Sequence, residues 1–148
     1  MISGVTLSPL KIIPVESGNV FHALKQTDQE FKGFGEAYFS TVKKGHIKAW
    51  KRHQKMTLNL VVPVGEIQFV LYDDRQHSST RHQFYSVNLS LSNYQRLTIP
   101  PMVWMGFQGV GEILNLLLNV ADIPHDPEEV NRCELHTFMF SWNDKENE

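Results

Sequence analysis

The sequence predicts an all-β fold, an antiparallel barrel with enough strands for a jelly roll, on three observations. Short apolar runs alternate with period two, as half-buried antiparallel strands do. Turn residues punctuate them: Gly65, Asp73-Asp74 and Asn93 each fall between two such runs. Helical periodicity is sparse along the chain.

The elements follow in order. Glu36 to Val42 and Ile47 to His53 read as two strands, joined through Lys44-Gly45. Thr57 to Val62 and Glu66 to Tyr72 flank Gly65 as a hairpin. Gln83 to Leu89, Arg96 to Ile99, Val103 to Phe107 and Glu112 to Asn119 complete a set of eight within about 85 residues. So many short strands favour closure, which hides edges that would otherwise pair with other chains. Asp122 to Arg132 holds Pro124 and Pro127 and reads as a loop, with one helical turn starting at Pro127. The tail from Asn143 to Glu148 is polar and expected to fray.

A chain of 148 residues supports one hydrophobic core, so residues 1–148 are expected to form a single domain. N-terminal strands and a connection would occupy 1–33, the barrel 34–121, and a loop and tail 122–148. Hydrophobic residues make up 41% and charged residues 20%, ordinary for a soluble globular protein. A net charge of -2 argues against a surface that coats nucleic acid. The lone cysteine, Cys133, excludes an internal disulfide framework and a multi-cysteine zinc site, and it fits a reducing compartment. No run approaches the roughly 20 apolar residues of a membrane span, and the N-terminus lacks a leader pattern. A cytoplasmic protein with no membrane partner is the expectation.

The segment from Gly45 to His53, closed by Gly65, has the spacing of the first cupin motif, which sets metal ligands on adjacent strands facing the barrel interior. Its two histidine positions are Lys51 and His53, and its glutamate position is Leu58. The second motif's histidine falls on Met105, in the run Ile99-Pro100-Pro101-Met102-Val103-Trp104-Met105. One histidine cannot supply the three or four donors a zinc or iron site needs, so no metal is expected.

Four blocks in order carry a closer resemblance: Gly35-Glu36-Ala37-Tyr38-Phe39-Ser40, Ile47-Lys48-Ala49-Trp50, Val61-Val62-Pro63-Val64-Gly65-Glu66, and the Ile-Pro-Pro run. Over roughly residues 34 to 127 the chain resembles the dTDP-4-dehydrorhamnose 3,5-epimerases, a cupin family. The resemblance implies a jelly roll, usually a homodimer, and an enzyme without cofactor acting on the 4-keto-6-deoxyhexose of a nucleotide-diphosphate sugar in surface polysaccharide synthesis. In that family a histidine at the position of Lys51 takes the proton beside the ketone, and a tyrosine near Asn115 returns one from the other face. Both are substituted here. The family's orienting aspartate near the chain end has Asp144 as its nearest counterpart.

Lysine can replace histidine as the base, because burial and cationic neighbours lower its pKa until a neutral amine is available. Strand alternation puts Lys51 and His53 on one face, with Trp50 and Arg52 on the other. The catalytic candidates are therefore Lys51, His53 and Asn115, with His125 as a replacement acid. Glu36 and Tyr38 are expected to bind substrate, as are Asn59 and Tyr72 on the barrel walls and Met105 at the motif position. Lys48 and Arg52 join them from a block of six basic residues between Lys43 and Lys55 that has no carboxylate and suits phosphate oxygens. A sugar-nucleotide-binding cupin without catalysis remains the alternative.

Overall fold

The computed structural model describes residues 1–142; the tail, with Asp144, lies outside the described residues. Four short strands precede and open the barrel: β1 (Thr6–Pro9), β2 (Ile12–Ile13), β3 (Val20–Phe21) and β4 (Glu36–Thr41). β5 (Ile47–His53), β6 (Leu58–Val64), β7 (Glu66–Tyr72) and β8 (Phe84–Ser90) follow. β9 (Gln95–Ile99), β10 (Trp104–Gly109), β11 (Leu116–Ala121) and β12 (Val130–Arg132) complete the set. They form two five-stranded antiparallel sheets, β1-β9-β6-β11-β4 and β12-β5-β10-β7-β8, while β2 and β3 form a separate hairpin. The all-β jelly-roll expectation holds.

Alternation decides which side chains fill the space between the sheets. Leu58, Leu60 and Val62 of β6 face Ile67, Phe69 and Leu71 of β7, and Leu97, Leu117 and Phe107 join the same core. Fully burying a side chain of this size contributes about 1.5–3 kcal/mol. The intervening residues point outward, yet both outer faces are covered. Trp50, Val70 and Trp104 on the outside of the second sheet pack under Phe138, Phe140 and Trp142. On the outside of the first sheet, buried Arg96 is held by Asp28, Glu30 and the Ala23 carbonyl of the N-terminal segment.

Two boundaries differ from expectation for local reasons. The run from Glu112 was expected to begin a strand, but β11 starts at Leu116 because Asn115 plugs the preceding turn. Its Oδ1 accepts from the Glu66 N–H, and its Nδ2 donates to the Val42 and Gly111 carbonyls. Gly65 turns β6 into β7 at φ +79°, where a Cβ would lie 2.1 Å from the Leu114 carbonyl oxygen. The expected loop from Asp122 contains the predicted turn, a 3-10 helix at Pro127–Glu129. It then adds an unpredicted strand, β12, beside β5.

One irregularity positions the site. Met105 pairs with Lys51 but Phe107 with Lys48, so β5 carries an extra residue between these pairs. Such a bulge breaks the alternation of faces, and it turns Lys48 to the same side as Lys51. Gly106 makes room: a Cβ there would lie 2.6 Å from the Ala49 Cβ. No helix among the described residues is long and apolar enough to cross a membrane.

Candidate active site

The bulge leaves an open cavity of about 390 Å³ between the sheets. Lys48 and Lys51 enter it from β5, Arg132 and the adjoining Cys133 from β12, and Met105 and Phe107 from β10. Tyr38 and Ser40 of β4 and Asn119 of β11 form the facing wall. Three cations thus line the cavity, and no carboxylate lines it among the described residues.

Lys51 is half-buried, and its pKa is lowered by burial first and then by the charges of Arg132 and Lys48; Glu129 pulls weakly the other way. The free amine is therefore more populated at a given pH than in a solvated lysine. Lys48 donates to the Thr41 carbonyl at 2.7 Å and lies 6.0 Å from the centre of the Phe107 ring. Opposite, the Tyr38 phenol is raised by burial and by Glu36, with Arg132 opposing, so it stays protonated and able to donate. Asn119 Nδ2 donates to Ser40 Oγ at 3.1 Å, which fixes its amide at the wall.

Behind Lys51 lies a second, buried pair. Nδ1 of His53 is hydrogen-bonded to Glu129 Oε1. Glu129 Oε2 also accepts the N–H groups of Lys55 and Met56. Burial alone would raise the Glu129 carboxyl, but these bonds outweigh it and hold the pKa below the usual range. Burial lowers His53, against the pull of Glu129.

The expected site residues divide. Lys48, Lys51, Met105 and Tyr38 line the cavity together, and His53 stands behind Lys51. Glu36 acts on Tyr38 through its charge without lining the cavity. The others are elsewhere. Asn59 faces outward beneath the N-terminal segment, where its Oδ1 accepts from Arg96 and Thr98. Tyr72 lies on the outer face of the second sheet, stacked between Phe84 and Phe138. Alternation dictates both, because Leu58, Leu60 and Leu71 take the inward positions. Arg52 also points outward, pairing with Asp74 at 3.0 Å and lying 4.6 Å from the Trp104 ring.

Asn115 is the turn plug described above, four residues before the cavity-facing Asn119. His125 is exposed in the loop ahead of the 3-10 turn, away from the cavity lining. The basic block is split in the same way: Lys44 pairs with Glu112 at 2.7 Å, and only Lys48 and Lys51 of the block line the cavity. Sequence reading missed Arg132, Ser40 and Glu129. Arg132 and Glu129 fall in the segment read as a loop, and no local pattern marks β12 as a strand. Among the described residues no three His, Cys, Asp or Glu side chains converge as a metal site requires.

Comparison with known proteins agrees with this architecture. The family model described as dTDP-4-dehydrorhamnose 3,5-epimerase matches residues 2–146. The chain is 28% identical over 130 residues to the probable low-salt glycan biosynthesis epimerase Agl13 of Haloferax volcanii, covering 86% of this chain and 83% of that one. It is 26% identical over 147 residues to the spore coat polysaccharide biosynthesis protein SpsL of Bacillus subtilis, covering 97% of each. The crystal structure of a dTDP sugar isomerase from Desulfovibrio desulfuricans G20 superposes with a TM-score of 0.89 at 44% identity, over 92% of this chain and 87% of that one. With the family model spanning nearly all of the barrel and its flanking segments, the chain belongs to the dTDP-4-dehydrorhamnose 3,5-epimerase family.

Proposed function

We propose that the protein is a nucleotide-sugar epimerase or isomerase acting on the 4-keto-6-deoxyhexose of a nucleoside-diphosphate sugar, in the cytoplasm and as a homodimer, for surface polysaccharide synthesis. Lys51 carries this reading: a half-buried lysine at a cavity, its pKa lowered by burial and two cationic neighbours. The glycan and polysaccharide roles in the names of its relatives support the setting.

In the proposed reaction the neutral Lys51 amine takes the proton from the carbon beside the ketone, and the C–H electron pair passes into an enolate. The substrate's own ketone makes that proton acidic, so the step calls for no cofactor. Arg132 or Lys48 lies near the developing oxyanion, where a fixed cation stabilises charge that grows in the transition state. Reprotonation on the opposite face inverts the centre, and the protonated Tyr38 phenol on the facing wall is the donor. Met105 and Phe107 supply an apolar surface for the deoxy carbon.

One observation favours a second reading, binding without turnover. On the correspondence that the resemblance implies, Lys51 stands at the family's histidine position, and β11, Leu116–Ala121, contains no tyrosine.

Incubation in deuterium oxide with a panel of 4-keto-6-deoxy nucleotide sugars, followed by proton NMR, separates the two. Loss of the signals beside the ketone, abolished by Lys51→Ala, is the outcome expected of the isomerase. Line broadening without exchange would replace it with the binding protein.

A further inference from the structure

Lys51 borders two spaces. One is the open cavity; the other is an internal void of about 10 Å³, close to the least that holds one water molecule, lined by Lys51, His53, Met56 and Met105 among others. His53 is 8% exposed, and its Nε2 has no hydrogen-bond partner among the described residues. Its Nδ1 is engaged by Glu129, whose ionised carboxylate can only accept, so Nδ1 carries the hydrogen and Nε2 presents a lone pair. A buried acceptor left open beside the candidate base is costly unless it is used.

We infer that His53 and Glu129 form an internal proton acceptor for Lys51: the ammonium formed when Lys51 takes a substrate proton passes a proton to Nε2 of His53. The inference rests on the reading of Lys51 as the base. In the first step the substrate C–H bond breaks and an N–H bond forms on Lys51. In the second an N–H bond of the ammonium breaks, an Nε2–H bond forms, and Lys51 is again a neutral amine. The imidazolium so formed is balanced by Glu129, so the three groups carry a net charge of zero before and after the transfer. The ammonium, by contrast, faces Arg132 across the β5–β12 ladder and Lys48 along β5. Arg132 and Lys51 act on His53 as well, but there the hydrogen-bonded Glu129 opposes them, so moving the proton inward places it beside a carboxylate and frees the amine. Lys51 lines both spaces and His53 lines the inner one, which is the route the transfer would take.

Two measurements test this, the first without substrate. Titration of protein carrying 15N-labelled histidine is expected to show the His53 ring nitrogens changing in two steps, because strongly coupled sites titrate as a pair, and in one step in Lys51→Met. An identical single step in both proteins would overturn the inference. The second measurement is deuterium wash-in with Glu129→Gln. Through the electrostatic field alone, losing Glu129 lowers the Lys51 pKa further and speeds the exchange at neutral pH. The relay requires the opposite, a fall of tenfold or more with substrate binding unchanged. A rise or no change in the folded variant would overturn it. Absence of wash-in from the unsubstituted protein would refute the epimerase reading instead, and the histidine titration would then decide the coupling alone.

Discussion

Arg132 lies directly opposite Lys51 in the β5–β12 ladder, two cations paired where neighbouring strands normally place opposite or neutral partners. Like charges in that position destabilise a sheet. Here they share a cavity that no carboxylate lines among the described residues, and burial first, then the charges of Arg132 and Lys48, lower the Lys51 pKa.

Arg132→Gln removes one of the charges that depress Lys51. The Lys51 pKa then rises, and because only the neutral amine is a base, the acidic limb of the pH–rate profile moves upward. Burial and Lys48 still act on Lys51 in this variant, so the limb moves toward the position of a solvated lysine without reaching it. The rate at pH 7 falls while the high-pH plateau is retained, which a pH series of deuterium wash-in reads directly. An unmoved limb would mean that Arg132 acts on the substrate and not on the base.

Lys51→Met is expected to stabilise the fold while abolishing exchange. With its folded pKa below its unfolded one, Lys51 lets the unfolded chain bind more protons over the interval between them, so its contribution to stability improves as pH rises through that window. Below it, the folded state holds a half-buried charge with cationic neighbours. Methionine removes that cost, and each kcal/mol recovered raises Tm by about 2–4 °C in a chain of this size. The gain should be present at pH 7 and diminish toward pH 10, as thermal melts across that range would record. A lower Tm at pH 7 would contradict the charge argument.

Most of the barrel is legible in the sequence, because Arg96 to Ile99 alternates strictly, Thr57 to Val62 and Glu66 to Tyr72 begin by alternating before running apolar, and turn residues separate the strands. The site is legible only in part. Lys51 and His53 share a face by simple alternation, and that much follows from spacing. The bulge that turns Lys48 inward depends on the close approach of Ala49 to Gly106, a contact between strands more than fifty residues apart. Asn59 and Tyr72 read as wall residues because each sits in a barrel strand. Which face is inner is fixed by the leucines beside them, and the outer faces look buried only because the N- and C-terminal segments cover them. Arg132 and Glu129 come from a proline-containing segment whose three-residue strand is imposed by β5, so local sequence carries no sign of it.

Tyr38→Phe should separate the two halves of the reaction. Removal of the proton by Lys51 needs no phenol, so exchange at the carbon facing β5 persists. Delivery from the facing wall needs the hydroxyl, and loss of a general acid costs about 10²–10⁴-fold. Epimer formation should therefore fall by that order while deuterium still enters the substrate. Equal loss of both signals would make Tyr38 a binding residue.

Asn115→Ala distinguishes a structural asparagine from a catalytic one. The side chain satisfies the Glu66 N–H at the start of β7, the Val42 carbonyl just after β4 and the Gly111 carbonyl in its own turn, so it ties three segments together. Leaving buried groups unpaired costs about 1–3 kcal/mol each, so a clear loss of stability follows. Exchange per folded molecule should be unchanged, since Asn115 does not line the cavity.

Asp73→Asn probes the hub that ties the N-terminus to the β7–β8 connection. Asp73 is fully buried and accepts hydrogen bonds from the Arg75 guanidinium and backbone and from the Ser78 and Thr80 hydroxyls. The Arg75 bond is foremost in holding its pKa well below the usual carboxylate range, with the hydroxyls adding to it. Arg75 also donates to the Ser3 carbonyl, and Thr80 accepts the Ser3 N–H, so the network reaches the first residues of the chain. Because the folded pKa is depressed, the Asp73 contribution is fully present above about pH 4, its unfolded value, and is lost as pH falls through the folded one. Asparagine leaves the partly exposed Arg75 facing a neutral amide, and a lost hydrogen bond to a charged group costs about 1.5–3 kcal/mol. Urea denaturation at pH 7 should show a loss of that order, and the difference from the unsubstituted protein should shrink below pH 4. A difference independent of pH would mean that the hydrogen-bond geometry, and not the charge, holds the hub together.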